Sequence, residues 1–457
     1  MRPATLTEVA RAIGADLPTA HADALVARAA IDSRKVRKGD LFFAMRGRTD
    51  GADFAPEAHL RGAVATVATR PLDVPTLVVE DSEKALQRLA RWTLVRPDAP
   101  SPTVVDITGT VGKTTTKDAL ATILRHSGKR ISATEGNLNN ELGLPLTVLS
   151  ADPRTEVLVL EMGATHAGDI ETLCGIAPPE IGILTAISPV HLDSFGSLEG
   201  LAAAKGELAL ALPETGTLVA PVNAPERATG SGRNLGRRIT FAREGDADLV
   251  ASGIEGREEG LRFVATIDRE SAEIRSPVFG THLVEPLLAA LGGALALGLD
   301  LEVAAGGLSR LRRTGLRGDV YRLKDDIVVY DDSYNASPAA VAAVLEYGAE
   351  QATQQGRRLV VVLGGMFELG PCAREYHREA GKLADEVGVD LLVCVGDEAR
   401  WYAEAFGGKT LFYEDAATAA ESLRDELRGG DYLIVKGSRG VELDTLTRKL
   451  RESLALV

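Results

Sequence analysis

The run Gly109-Thr110-Val111-Gly112-Lys113-Thr114-Thr115-Thr116 carries the residue types and spacing best suited to chemistry in this chain. It lies between an apolar strand, Thr103-Val104-Val105-Asp106-Ile107-Thr108, and a helix expected to start near Lys117. Glycines at such a turn let backbone N–H groups close around phosphate oxygens, and the helix N-terminus favours their negative charge. In that arrangement Lys113 reaches the β- and γ-phosphates and the Thr114 hydroxyl coordinates Mg²⁺, with Gly109, Gly112 and Thr115 completing an ATP-binding loop. Counted from Gly109, the loop is two residues shorter than the usual GxxxxGK[ST] spacing. The assignment therefore leans on the strand before it and the helix after it as much as on the pattern.

Mg²⁺ prefers a few carboxylates, hydroxyls and phosphates with retained waters. The strand Val157-Leu158-Val159-Leu160 runs into Glu161, which places this carboxylate at the carboxyl edge of a sheet, where ligands sit in open α/β folds. The next strand, Ile183 to Ile187, leads into a loop at the same edge that contains His191. On residue type alone, His191 reads first as a hydrogen-bonded loop histidine, and Glu161 fits a structural role as well as a metal site.

Three blocks of elements must position these groups. Residues 1–98 mix short strands with helices and end at a proline-rich joint, Arg96 to Pro102. Residues 99–314 alternate buried strands and helices, the signature of a parallel sheet covered by helices. Within this block, residues 217–280 change to short strands with charged turns, read as an antiparallel flank. Residues 315–457 repeat the strand–helix rhythm four times, which predicts a second doubly wound domain. The fold class is therefore α/β with three domains.

Composition excludes several functions. A net charge of −14 leaves no broad electrostatic footprint for nucleic acid or an anionic membrane, so an anionic substrate must be held by local positive sites. The first residues lack the basic and apolar segments of a signal peptide. The Ala/Leu stretch near 287–300 is broken by Gly292, Gly293 and Gly298, so no membrane insertion is expected. Cys174, Cys372 and Cys394 form no CxxC pair and read as structural thiols of a cytoplasmic protein.

At this point the residues resemble the Mur ligases. The resemblance covers nearly the whole chain. It runs through Asp32-Ser33-Arg34-Lys35, the phosphate loop, Gly136-Asn137-Leu138-Asn139-Asn140, Glu161-Met162-Gly163-Ala164, Ala204-Lys205-Gly206-Glu207, Asp331-Asp332-Ser333-Tyr334-Asn335-Ala336, Glu368-Leu369-Gly370 with His377, and Lys436-Gly437-Ser438-Arg439. It implies a small N-terminal α/β domain for a UDP-sugar, a central P-loop-type ATPase domain and a C-terminal Rossmann-like domain. The activity implied is ATP-dependent ligation of D-alanyl-D-alanine to the carboxylate of a UDP-N-acetylmuramoyl tripeptide by a monomer, through an acyl phosphate.

Roles follow from the same resemblance. Lys113, Lys205 and His191 would be catalytic, and Thr114, Glu161, His191 and Lys205 would form the Mg²⁺ site. Lys205 would be carbamylated, since an ammonium beside Mg²⁺ is repelled whereas a carbamate is an anionic oxygen ligand. Arg317, Asp332 and Asn335 would join the nucleotide contacts. Ser33, Arg34, Asn137, Asn139, Asn140, Lys436 and Arg439 would face the substrate, although an Asn-rich turn and a solvated KGSR loop account for several of these equally well.

Two departures stand out. The family's G-R-H-N-x-x-N helix start reads Gly280-Thr281-His282-Leu283-Val284-Glu285-Pro286, and the glycine expected before Arg317 is Leu316. The first predicts that the nucleotide base is held more by apolar packing than by side-chain amides. It also leaves open a ligase of another pathway or a degenerate nucleotide-binding relative.

Overall fold

The computed structural model describes residues 1–16, 22–96, 100–189, 192–230, 233–257, 259–312 and 315–454. The proline-rich joint falls partly outside them, at 97–99.

The first sheet holds four parallel strands in the order Arg28–Ala30, Asp40–Phe43, Ala65–Ala68, Thr76–Val78. Its covering helix, Ser82–Leu94, starts where Asp81 accepts hydrogen bonds from the backbone N–H groups of Glu83 and Lys84. The helix buries Leu86, Leu89 and Ala90. These side chains share one apolar cluster with Leu144, Val148 and Leu173 of the next block, so the first sheet is packed onto the second through a common core.

The second sheet has nine strands, and Thr103–Thr108 lies inside it between Ile181–Leu184 and Val157–Glu161, parallel to both. Being covered on both faces, this strand reads as a continuous apolar run rather than an alternation. One face packs under the helices Lys113–His126, Val284–Ala296 and Leu301–Leu308. At Gly293 an added Cβ would lie 2.6 Å from Ile183 Cδ1, so the glycines of the Ala/Leu stretch let the helix sit close to the sheet. Among the described residues no helix is long and apolar enough to cross a membrane.

The expected antiparallel flank is only half right. Thr217–Pro221 and Arg237–Ala242 continue the parallel sheet, and the direction reverses only within Leu249–Arg257, Gly260–Ile267 and Glu270–Ser276. Short strands with charged turns carry no directional signal, because direction is set by the sheet edge that each strand joins.

The third sheet has the order Asp319–Arg322, Val328–Asp332, Tyr432–Lys436, Leu359–Gly364, Leu391–Val395, Lys409–Tyr413, parallel except for its first pair. His377 is buried here. Its Nε2 accepts from the Met366 N–H at 2.9 Å and its Nδ1 lies 2.6 Å from the Ala373 carbonyl, so the ring ties the loop after one strand to the following helix. Cys174 and Cys394 are buried, as structural thiols should be, whereas Cys372 is partly exposed.

One residue of the central strand is out of keeping with its setting. Asp106 is fully buried, its Oδ1 has no hydrogen-bond partner among the described residues, and the Cys174 thiol lies 4.0 Å from its Oδ2. Burial raises its carboxyl well above the usual range. The sign follows: stability is complete below the unfolded value near pH 4 and declines as pH rises through the folded value. Asp106→Asn is expected to raise Tm by a few degrees at pH 8 and to change it little near pH 4. Thermal melts across that range check this, and a lower Tm for the variant at pH 8 contradicts it.

Candidate nucleotide and ligation site

The phosphate loop is built from contacts between two neighbouring strand ends. Gly109 and Gly112 adopt φ values of +144° and +86°, which side chains rarely tolerate. A Cβ on Gly109 would fall 2.1 Å from Thr185 Oγ1, and one on Gly112 would fall 3.0 Å from Pro286 Cγ. Thr185, just past the strand Ile181–Leu184, donates its hydroxyl to the Val111 carbonyl at 2.5 Å, and the Thr110 N–H donates to the Ala186 carbonyl at 2.9 Å. The helix begins at Lys113, four residues earlier than the sequence suggested. Lys113 Nζ donates to the carbonyls of Gly109 at 2.8 Å and Thr110 at 3.2 Å. Burial lowers its pKa, Glu161 opposes that shift, and Arg317 adds to it.

Glu161 is held from two sides. Thr114 Oγ1 donates to its Oε2 at 2.8 Å and Asn139 Nδ2 to its Oε1 at 2.9 Å, and its backbone N–H donates to Thr134 Oγ1 at 2.9 Å. Among the described residues no three His, Cys, Asp or Glu side chains converge. A single carboxylate beside a hydroxyl on a phosphate loop suits a cation that brings phosphate and water ligands with it, which is how Mg²⁺ is usually held. His191 lies outside the described residues.

Lys205 is buried in the helix Leu198–Ala211 and makes no hydrogen bond or ion pair among the described residues; its Nζ lies 5.7 Å from the Phe195 ring centre. Neighbouring Glu207 accepts instead from the backbone N–H groups of Gly168 at 2.7 Å and Glu171 at 3.0 Å. Burial first, and then the charge of Lys113, bring the Lys205 ammonium down to about 7, against the partial pull of Asp169 and Glu207. Near neutral pH much of this amine is therefore uncharged, the form that adds CO₂.

The opposite wall comes from the third sheet. Lys436, at the end of Tyr432–Lys436, bonds Asp332 Oδ2 at 2.5 Å and the Asn335 carbonyl at 2.9 Å. The Arg317 guanidinium stacks 4.0 Å above the Tyr334 ring, and Leu316 beside it holds φ +64° while its carbonyl accepts from the Tyr334 N–H. Arg439 is exposed and pairs with Asp444 at 2.9 Å. Between the two walls lies a cavity of about 780 Å³, lined by Thr110 to Thr115, Asn137, Asn139, Glu161, Arg317, Asp332, Asn335, Lys436 and Arg439.

Several expected residues lie elsewhere. Asn140 does not line the cavity; its Oδ1 accepts from the Gly143 N–H and so closes a turn, the role that an Asn-rich segment serves without any ligand. Ser33 is buried, bonding Glu57 at 2.8 Å, and Arg34 is exposed, paired with Asp32; both belong to the first sheet's loops, away from this cavity. Leu283 lines the cavity as expected. Pro286 also touches it, but it packs beneath Gly112, and its carbonyl accepts from Thr116 Oγ1.

The sequence missed Arg243, His282 and Phe367, which also line the cavity. The His282 Nδ1 is buried without a partner among the described residues, and burial lowers the ring to about 4, with Asp332 opposing and Lys436 and Arg243 adding. No spacing rule joins Arg243, after Arg237–Ala242, to a loop more than 100 residues earlier.

The sequence matches three family descriptions in order: Mur ligase family, catalytic domain, at 26–92; Mur ligase middle domain at 107–294; and Mur ligase, glutamate ligase domain, at 316–439. The UDP-N-acetylmuramoyl-tripeptide–D-alanyl-D-alanine ligase of Escherichia coli is 33% identical over 431 residues, 92% of this chain and 93% of the relative. The chain belongs to the Mur ligase family. The enzyme of the same name from Bacillus subtilis is 31% identical, covering 93% of each chain. A MurF crystal structure from Acinetobacter baumannii superposes with a TM-score of 0.88 at 29% identity over 99% of each chain. The Thermotoga maritima MurF in complex with ADP gives 0.82 at 30% identity, over 93% of this chain and 97% of that one. This Mur ligase uses ATP.

The loop geometry can be tested by comparing two glycines. Gly109→Ala should destabilise the fold and abolish ATP turnover, because its Cβ meets Thr185. Gly128→Ala, at φ +85° in open space, should cost only the backbone strain, about 1 kcal/mol. Thermal melts and phosphate release for the two variants check this, and equal effects would show that contact with Thr185 does not matter.

Proposed function

We propose that the chain is an ATP-dependent, ADP-forming ligase that joins D-alanyl-D-alanine to the tripeptide carboxylate of a UDP-N-acetylmuramoyl peptide, in peptidoglycan precursor synthesis. The observation that carries this reading is the single cavity in which the phosphate loop, the Thr114–Glu161 pair, Arg317 and Lys436 face one another. The curated relatives of that name, similar along more than nine-tenths of their length, support it.

In this reading residues 1–98 hold the UDP-sugar, with Ser33 and Arg34 on its side; residues 99–314 hold ATP; and residues 315–457 supply Lys436 and Arg439 to the peptide substrates. Asn137 faces the muramoyl peptide, while Asn139 acts mainly by orienting Glu161. Thr114, Glu161 and His191 would hold Mg²⁺, which supplies charge neutralisation for the triphosphate. The enzyme works as a cytoplasmic monomer.

A carboxylate does not condense directly with an amine, because oxide would have to leave. Its oxygen instead attacks the γ-phosphorus of ATP; the bond to the β-phosphate oxygen breaks, ADP departs and an acyl phosphate forms. The dipeptide's uncharged amino nitrogen then attacks the acyl carbon, and the tetrahedral intermediate expels inorganic phosphate and loses a proton. The protein's contribution is alignment and charge stabilisation. Lys113 exchanges its loop carbonyls for γ-phosphoryl oxygens, and Arg317 approaches the same group from the other wall. Lys205 adds CO₂ through its unprotonated nitrogen, releasing a proton and exchanging a cation beside Lys113 for an anionic oxygen donor.

Lys113→Ala should reduce phosphate release by roughly 10²–10³-fold, about 3–4 kcal/mol, the usual loss when one preorganised electrostatic donor is removed. Near-normal turnover by the folded variant contradicts the phosphate-loop assignment. Lys205→Ala should lose activity and regain part of it with added formate, which returns a small carboxylate to the vacated space. The same activity must fall in CO₂-depleted buffer for the wild type only. Full activity of Lys205→Ala without formate would remove the carbamate from the mechanism.

A further inference from the structure

A second cavity, of about 570 Å³, lies between the helices Ser82–Leu94 and Asp169–Ile176. It shares no lining residue with the catalytic cavity. The strand Val157–Glu161 ends at the catalytic edge, and the following helix runs back from it, so Thr172 and Ile176 line this groove toward the opposite edge of the sheet.

Three cations line it: Lys84, Arg88 and Arg91. Spaced i, i+4 and i+7, they share one helical face over about 10 Å. None forms an ion pair among the described residues, although the chain carries 65 acidic side chains against 51 basic ones. Among the described residues Arg88 makes one hydrogen bond, a long one to the Ile13 carbonyl at 3.4 Å. Arg91 Nη1 is out of solvent, with no acceptor among the described residues. The helix dipole accounts for Arg91 in the last turn but opposes Lys84 in the first. A row of like charges with a buried, unsatisfied guanidinium donor is unfavourable until acceptors arrive. Trp92 also lines the groove, with the Arg96 guanidinium 4.6 Å from its ring centre.

We propose that this groove binds a compact multivalent phosphate anion, its oxygens accepting from Arg91 and Arg88 with Lys84 at the open end. Phosphate chemistry fits better than a single carboxylate because the charges are spread over two helical turns and the buried donor requires a group small enough to reach the floor. The site is independent of the ligase reaction. Two sources share the chemistry: inorganic polyphosphate and a nucleoside diphosphate.

The chain has two tryptophans, so Trp401→Phe leaves Trp92 as a local reporter. Inorganic tripolyphosphate and UDP are titrated separately into that protein while emission is followed. A saturable change below about 1 mM, corresponding to about −4 kcal/mol, is expected at low salt. The exposed-residue variant Lys84→Glu/Arg88→Glu should weaken it at least tenfold while ligase turnover stays unchanged. Arg91→Gln tests the buried donor in the same way, and the tighter of the two probes identifies the source. The proposal is overturned if no saturable change occurs up to about 10 mM, if the charge-reversed protein responds like its parent, or if a short poly-glutamate binds more tightly than either phosphate.

Discussion

The strand Thr103–Thr108 pairs on one side with Ile181–Leu184 and on the other with Val157–Glu161, all three pointing the same way. This alignment delivers three chain ends to one edge within hydrogen-bonding reach. Thr185 and Ala186 hold the phosphate loop in shape from one side, and Glu161 takes the Thr114 hydroxyl from the other. A slip of one residue in the pairing with Val157–Glu161 would turn Glu161 to the opposite face of the sheet and part it from Thr114. The apolar cover on both faces therefore does more than stabilise the fold, because it locks the register on which the site depends.

Around that edge the site gathers Lys113, Lys205, Arg317, Lys436 and Arg243 in a chain whose net charge is −14. Their partners differ in kind. Lys436 is neutralised by Asp332, Lys113 rests on neutral carbonyls, and Lys205 has no polar partner among the described residues. An acidic protein that handles a triphosphate and a diphospho-sugar needs this local reversal of sign, and burial strengthens each interaction there. Burial also makes the lysine nitrogens easier to deprotonate, which links the storage of positive charge to the chemistry proposed for Lys205.

The parts of this arrangement encoded by adjacent residues were legible in the sequence. The phosphate loop depends on a few neighbouring positions between a strand and a helix, and Glu161 could be read as a strand terminus. The Mur ligase resemblance supplied Lys205, Arg317 and Lys436, whose residue types alone gave no reason to choose them. Contacts made by folding stayed hidden. Arg243 and His282 reach the cavity from the segments that follow Arg237–Ala242 and Glu270–Ser276, Asn140 closes a local turn, and Pro286 sits under Gly112. Asp106 gave no warning either, since a carboxylate within an apolar run looks the same whether it faces water or the core. The direction of Thr217–Pro221 and Arg237–Ala242 was misread for a related reason: pairing partners are chosen across the sheet.

Leu316 occupies a backbone region where a side chain costs about 1–2 kcal/mol relative to glycine. It lies where the chain passes from the second sheet to the third, and its neighbours hold it there: its carbonyl is bonded by Tyr334, on whose ring Arg317 stacks. The connection behaves like a wound torsion spring with a clasp. The strain is offset locally, by the Tyr334 hydrogen bond to the Leu316 carbonyl and by the packing of Arg317 on the Tyr334 ring.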